Sequence, residues 1–213
     1  MDNKWGISQG EARFLNEIED ILNEDLPILN KCGDIDYGVK IENNKVGCFG
    51  LYNKNISEIP DSIKEIKSVY WMVLSKNQLK YLPESIGELK ELSGLYLSEN
   101  NLEAIPNSIG EIKDILWLDI RNNNLHELPN EICNFSGVED FNLGFNKLTA
   151  LPDEIGNIKY ILYFNLSHNQ ITSLPESILD IEIYILFIEH NPLNQEAKEI
   201  IDKLKEQGTK VYF

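Results

Sequence analysis

Residues 82–104 read LPESIGELKELSGLYLSENNLEA, and three segments of the same length and pattern follow directly, starting at Ile105, Leu128 and Leu151. Prolines mark the same period of 23 residues, because six of the eight in the chain recur at that spacing: Pro60, Pro83, Pro106, Pro129, Pro152 and Pro175. One unit of this size cannot bury its own apolar residues. The repetition therefore predicts that neighbouring units stack into a solenoid.

Each unit has two parts with different periodicities. The first part, L-x-x-L-x-L-x-x-N-x-L, alternates apolar and variable residues, as at Leu95 and Leu97, and predicts a short strand with one buried face. The second part, L-P-x-x-I-G-x-I, spaces apolar residues three apart, as at Ile86 and Leu89, and predicts a helical turn that starts at the proline. Stacked units then form a curved parallel sheet with about 4.8 Å between strands.

The repeat resembles the leucine-rich repeat family in its 23-residue form, LxxLxLxxNxLxxLPxxIGxL. This form is similar to that of intracellular Ras-group scaffolds, plant intracellular repeat proteins and many prokaryotic single-domain repeat proteins. The resemblance covers residues 46–193 and implies an α/β horseshoe with a concave parallel β-sheet and helical N- and C-terminal caps. The family binds many unrelated partners on one architecture, so the resemblance implies protein binding and, by analogy alone, a small GTPase pathway component as one partner class.

The segments that flank the repeats have the features of caps. Ser8 and Glu11 have the spacing of a capping box in front of an apolar helical face, and two alternating runs flank Asn43 and Asn44, which predicts a hairpin. After the repeats, QEAKEIIDKLKEQ predicts a helix and KVYF a short strand. We therefore expect a complete protein in three parts: an N-terminal helical and hairpin cap 1–45, seven leucine-rich repeats 46–193, and a C-terminal helix-strand cap 194–213.

Composition and charge disfavour several classes of partner. The chain has 213 residues and a formal net charge of -16, which repels nucleic-acid phosphates and anionic lipid headgroups. The longest apolar runs, YILYF at 160–164 and IYILFI at 183–188, are too short to span a membrane. The sequence thus predicts no nucleic-acid partner and no membrane partner.

The cysteines and the N-terminus favour a cytoplasmic location. Cys32, Cys48 and Cys133 are odd in number and form no C-x-x-C motif, which fits unpaired thiols in a reducing compartment better than a disulfide framework. The first residues, MDNKWGISQGEARF, have acidic and polar residues where a signal peptide would have basic and apolar ones. Cys133 occupies the small glycine position of its repeat, so we expect a buried filler rather than a reactive thiol.

An asparagine recurs at one position of the repeat. Its amide has two donors and an acceptor, enough to satisfy backbone groups of adjacent turns inside the solenoid. In the leucine-rich repeat family this residue forms a buried ladder, which implies a structural role for Asn77, Asn100, Asn123, Asn146, Asn169 and Asn191.

The variable positions of the strands point away from the core onto the concave face, where a binding site would be encoded. Large aromatic residues are frequent there, and such residues dominate interface energies. We predict a concave-face binding site at Trp71, Tyr96, Trp117, Asp119, Arg121, Asp140, Phe145, Tyr163 and Phe187. The alternative is that these rings only pack on one another across strands.

The sequence contains no phosphate-binding loop, nucleotide-binding glycine motif, nucleophile elbow or H-E-x-x-H motif, so we expect no enzyme and no cofactor. His168, His190 and Glu189 offer a two-histidine, one-carboxylate metal site, which we disfavour because the face is open and no further imidazole converges. We predict a non-enzymatic protein-binding module, such as a signalling scaffold or regulator, that is monomeric. The alternatives are a structural or homodimeric repeat protein and, less favoured, a metal-dependent enzyme on the concave face.

Overall fold

The computed structural model describes residues 3–32 and 36–213. Within these residues the helices are α1 (Gln9–Leu22) and α2 (Gln195–Glu206). The strands are β1 (Tyr37–Glu42), β2 (Lys45–Leu51), β3 (Trp71–Val73), β4 (Gly94–Tyr96), β5 (Trp117–Asp119), β6 (Val138–Asn142), β7 (Tyr160–Asn165), β8 (Glu182–Phe187) and β9 (Lys210–Tyr212). No helix in these ranges is both long enough and apolar enough to cross a bilayer.

The strands form one sheet in the order in which they occur along the chain, from β1 to β9. β1 runs antiparallel to β2, and each later strand is parallel to the strand before it. The register follows the repeat, since Trp71 lies beside Gly94 and Gly94 beside Trp117. Residues one period apart are therefore neighbours on the sheet, and the concave face defined from the sequence is this sheet's surface.

The return half of each unit is a short 3-10 helix. The sequence predicted that each helical turn starts at its proline, but each 3-10 helix begins one residue or more after it. Pro83, for example, is the N-cap of Glu84–Glu88. The others are Asp61–Glu65, Asn107–Glu111, Asn130–Asn134, Ile155–Asn157 and Glu176–Asp180. These turns stack closely, because a Cβ added at Gly87 would come within 2.3 Å of the Ser108 carbonyl oxygen.

The repeated asparagine satisfies backbone groups inside the solenoid. Asn123 donates from Nδ2 to the carbonyls of Leu97 and Ile120, both at 3.0 Å, and its Oδ1 accepts from the Leu102 N–H at 2.9 Å. The same pattern joins successive units at Asn77, Asn100, Asn146, Asn169 and Asn191. One side chain in each of six units thus ties together the backbones of adjacent units, which keeps the strands in register; the first repeat has Lys54 at this position.

The N-terminal segment covers the first end of the sheet. The capping box is present in α1, where Ser8 Oγ accepts from the Glu11 N–H and Glu11 Oε2 accepts from the Ser8 N–H, both at 3.2 Å. Glu11 is buried and its Oε1 also accepts from the Val46 N–H at 3.0 Å, which attaches the helix to β2. The predicted hairpin turn is formed by Asn43 and Asn44, whose φ angles are 50° and 61°.

The cysteines correct one prediction from the sequence. Cys32 and Cys48 form a disulfide, with Cα atoms 5.8 Å apart, that joins the segment after α1 to β2. The interpretation of these two residues as unpaired thiols was therefore wrong. The cysteines no longer support the prediction of a cytoplasmic location. Cys133 is free and buried as predicted, and burial raises the pKa of its thiol to about 11.

Candidate functional site

The first half of the concave face carries a cluster of three aromatic side chains. The ring of Trp71 lies 5.1 Å from that of Tyr96 and 5.4 Å from that of Trp117, centroid to centroid. Trp71 reaches Trp117 across the intervening strand because Gly94 has no side chain, and a Cβ there would lie 2.6 Å from the Trp71 ring. The rings pack on one another, yet all three stay partly exposed.

Two residues of this aromatic cluster, Trp71 and Tyr96, line a cleft of about 740 Å³. The cleft also includes residues that the sequence prediction did not assign to the site: Cys32, Asp36, Tyr52, Tyr70, Lys76 and Glu99. Cys32 reaches it through the disulfide to Cys48. Asp36 reaches it because it directly precedes β1, where its carbonyl accepts from the Tyr52 N–H. The solenoid alone would leave this end open, so the cap converts part of a sheet surface into a cleft.

Two carboxylates and one guanidinium border the aromatic cluster. Asp119 accepts from the Arg121 N–H at 3.1 Å, and the Arg121 Nε lies 3.4 Å from its other carboxylate oxygen. Desolvation raises the pKa of Asp119 and of Asp140, while Arg121 opposes the rise in both. Burial, with the nearby carboxylates of Asp140 and Asp119, raises the pKa of Tyr96 to about 12, so its hydroxyl stays protonated at neutral pH.

Asn142 and Asn165, which continue the row of Asp119, have a local structural role. Each side-chain oxygen accepts from the backbone N–H two residues later, at Gly144 and Ser167. Asp119 makes the same bond, so all three terminate their strands with the turn that aspartate and asparagine favour. Their exposed faces remain on the concave surface, but part of their hydrogen-bonding capacity is used within the fold.

The second half of the concave face carries separate aromatic contacts. Phe145 stacks on His168 at 4.0 Å, and His168 stacks on His190 at 4.1 Å. Phe187 stacks on Tyr212 at 4.9 Å. The two histidines thus form an aromatic row with Phe145. Residues 3–32 and 36–213 contain no group of three or more metal-ligating side chains suited to an ion.

The structure thus divides the predicted site residues into two groups. In one group, Trp71, Tyr96, Asp119 and Arg121 line the cleft. Trp117 packs on Trp71 and Asp140 lies next to Trp117 in the sheet register, so these two residues border the cleft without lining it. Phe145, Tyr163 and Phe187 lie further along the sheet, and Tyr163 meets the ring of Tyr184 at 6.4 Å instead. The candidate site is a polar centre, formed by Asp119, Arg121 and Asp140, between two aromatic regions rather than one continuous aromatic stripe.

Comparison with known proteins agrees with the repeat architecture. The leucine rich repeat family model matches residues 114–135. A leucine-rich repeat protein of Leptospira interrogans superposes with a TM-score of 0.58 and 25% identity, covering 78% of this chain and 54% of its own. No curated protein matches the sequence at a significant level.

Two plant structures share the fold. A plant ice-binding protein has a TM-score of 0.69 at 22% identity, covering 88% of this chain and 65% of its own. The plant peptide hormone receptor RGFR1, solved in complex with RGF2, has a TM-score of 0.54 at 31% identity, covering 64% of this chain and 23% of its own. This chain therefore spans less than two thirds of the length of each of these three structures. With the Leptospira protein, these likenesses establish an α/β leucine-rich repeat solenoid with helical caps.

Proposed function

We propose that this leucine-rich repeat protein is a non-enzymatic interaction module that binds a protein or peptide on its concave face. One observation carries the proposal: Trp71 and Tyr96 line a cleft of about 740 Å³, Trp117 packs on Trp71, and all three rings stay partly exposed. Tryptophan, tyrosine and arginine contribute most to interface energies, and Arg121 borders the same cleft.

The packing of the rings favours binding rather than competing with it. Trp71 is in contact with both Tyr96 and Trp117, so the three rings are held in one arrangement before any partner arrives. A rigid surface loses little conformational entropy when it forms a complex. The same aromatic cluster therefore packs across the strands and offers a pre-organised surface to a partner.

A similar structure supports a peptide as partner. The plant peptide hormone receptor RGFR1 was solved in complex with RGF2, so a solenoid of this architecture can hold a peptide. The function of a signalling scaffold or regulator, the Ras-group repeat type, a small GTPase pathway component as partner and a cytoplasmic location are finer proposals. They rest on the resemblance of the repeat and on the sequence. The residues of the concave face do not favour a small GTPase pathway component over another protein partner.

The proposal is tested by affinity enrichment from native lysate with the wild type and a Trp71→Ala, Tyr96→Ala, Trp117→Ala variant. Circular dichroism and thermal unfolding establish that the variant is folded. The matched control is Tyr81→Ala, because Tyr81 is 58% exposed and lies outside the concave face. We expect a partner that the wild type and Tyr81→Ala retain and that the triple variant loses. Equal retention by all three proteins would move binding away from the concave face.

We propose that the protein acts as a monomer, with self-association of the aromatic face as the competing function. Sedimentation velocity at several concentrations distinguishes the two. A dimer at micromolar concentration that the triple variant abolishes would show that the cluster binds a second copy of the chain instead.

A further inference from the structure

We propose that the partner is an extended peptide whose lysine or arginine side chain inserts beside Asp119, Asp140 and the aromatic cluster. An apolar side chain about four residues away would contact Phe187 and Tyr212. This inference rests on the proposed function and specifies the chemistry of the partner.

The charges of the polar centre are unbalanced. Arg121 contacts Asp119 at 3.4 Å and also acts on Asp140, so two carboxylates share one guanidinium. The Asp140 backbone N–H donates to the Leu116 carbonyl at 3.0 Å, but its carboxylate makes no hydrogen bond or ion pair with any residue in 3–32 or 36–213. One added cation would therefore balance this group, whereas an added anion would face two carboxylates.

The desolvation of Asp119 strengthens the argument. Its side chain is only 15% exposed, and burial raises its pKa, whereas Asp140 is exposed and contributes a second, solvated carboxylate. A cation at close range would compensate the lost hydration more strongly than one on an open surface.

The neighbouring rings suit a lysine or arginine side chain. Trp117 lies next to Asp140 in the sheet register, and Tyr96 lies next to Asp119. The faces of these rings attract cations, and their edges pack against the methylene groups of a long basic side chain. Recognition would thus combine carboxylates for the charge with aromatic surface for the stem.

The second contact follows from the spacing of the strands. The Phe187 and Tyr212 rings stack at 4.9 Å on β8 and β9, and Tyr212 is 40% exposed. From the midpoint of β5 and β6 to the midpoint of β8 and β9 there are three strand spacings, about 14 Å. An extended peptide advances about 3.3 Å per residue, so about four residues separate the two contacts.

The charge of the whole chain favours the same occupant. A net charge of -16 attracts basic segments over long range and repels acidic ones. The concave face thereby offers a basic peptide both a long-range attraction and a short-range site.

The experiment is a selection of random twelve-residue peptides, displayed on phage, against the immobilised full chain. We expect enriched peptides that share a lysine or arginine and an apolar residue about four positions apart. Titration calorimetry with one synthesised peptide then compares the wild type, Asp140→Asn and Asp114→Asn. Asp114 is an exposed carboxylate on the turn before β5, so its variant has the same change in charge away from the cleft.

Supporting results are the expected pattern and an affinity that falls about tenfold or more in Asp140→Asn but not in Asp114→Asn. Enriched peptides without a basic residue, or equal binding by both variants, would overturn the inference and leave peptide binding intact. A selection that enriches no peptide over an empty surface would also overturn it. The lysate experiment with the triple variant tests the proposed function independently of this selection.

Discussion

At the scale of single residues, Asp119 combines a site position with a cost to folding. Its side chain is 15% exposed, desolvation raises its pKa above that of an ordinary aspartate, and Arg121 opposes this rise without cancelling it. A carboxylate whose pKa is higher in the folded than in the unfolded state contributes stability at low pH and loses it as the pH rises through the folded-state pKa. We therefore expect Asp119→Asn, whose amide oxygen can still accept from the Arg121 N–H, to unfold at a higher temperature than the wild type at pH 7.

The difference between the two proteins should narrow as the pH falls, because the wild-type carboxylate then becomes neutral like the amide. Thermal unfolding followed by circular dichroism from pH 7 towards pH 4 measures this change, with Asp114→Asn as the control. A variant less stable than the wild type at pH 7 would show that the Arg121 contact outweighs desolvation, contrary to the expectation.

Asn123 provides a second prediction for a single residue. Its amide bonds to Leu97, Ile120 and Leu102, and alanine would leave these buried backbone groups without a partner. We expect Asn123→Ala to lower the free energy of unfolding by about 1–3 kcal/mol. Urea denaturation gives this value. The control is Asn101→Ala, an exposed asparagine whose replacement should change stability by less than about 0.5 kcal/mol. Similar losses in both variants would contradict the ladder's role.

The positions of the site residues were predictable from the sequence, but their contacts were not. A fixed period of 23 residues places Trp71, Gly94 and Trp117 in one row, and the structure shows that row. The contact of the two tryptophans depends on the space above Gly94, which is a property of three strands together. Sequence periodicity predicts the row, but it does not predict which rings in the row pack against each other.

At the scale of elements, the disulfide between Cys32 and Cys48 joins the N-terminal cap to the sheet. The two residues are 16 positions apart, and closing a loop of about that size stabilises a protein by about 3 kcal/mol through the unfolded state. We expect Cys32→Ser to lose up to about that amount in urea denaturation. Dithiothreitol should lower the stability of the wild type and leave Cys32→Ser unchanged.

Thiol titration of the denatured, unreduced protein supplies the direct check. One reactive thiol, from Cys133, is expected, whereas three would show that the disulfide is absent. Cys133→Ala, which keeps the pair, should respond to dithiothreitol as the wild type does.

Elements outside the repeats were predicted unevenly. The hairpin at Asn43 and Asn44 and helix α1 follow from local signals, namely turn residues and a capping box, and both are present. The path of the segment that contains Cys32 has no such signal, because it depends on a long-range disulfide and on the surface of the finished sheet. The cleft, which that segment helps to form, was missed for the same reason.

At the scale of the whole molecule, the parallel sheet in chain order means that each repeat contacts mainly its two neighbours. Stability in such arrays is approximately a sum of repeat and interface terms, so a whole unit can be removed if the register is kept. Deleting residues 101–123 joins Asn100 to Asn124 and removes β5, with Trp117, Asp119 and Arg121. We expect a folded, shorter solenoid that unfolds cooperatively at a lower urea concentration and no longer binds the basic peptide.

Deleting residues 147–169 is the matched test, since it removes one unit of the same length, with β7, and joins Asn146 to Gln170. Its loss of stability should be similar, because one repeat and one interface disappear in each case. Its aromatic cluster and both carboxylates remain, so a basic peptide should still bind, with the preferred spacing to the apolar residue reduced by about one position. Circular dichroism, urea denaturation and a repeated peptide selection measure these three properties. Loss of peptide binding by both folded variants would mean that the whole sheet, rather than the polar centre and its cleft, forms the binding surface.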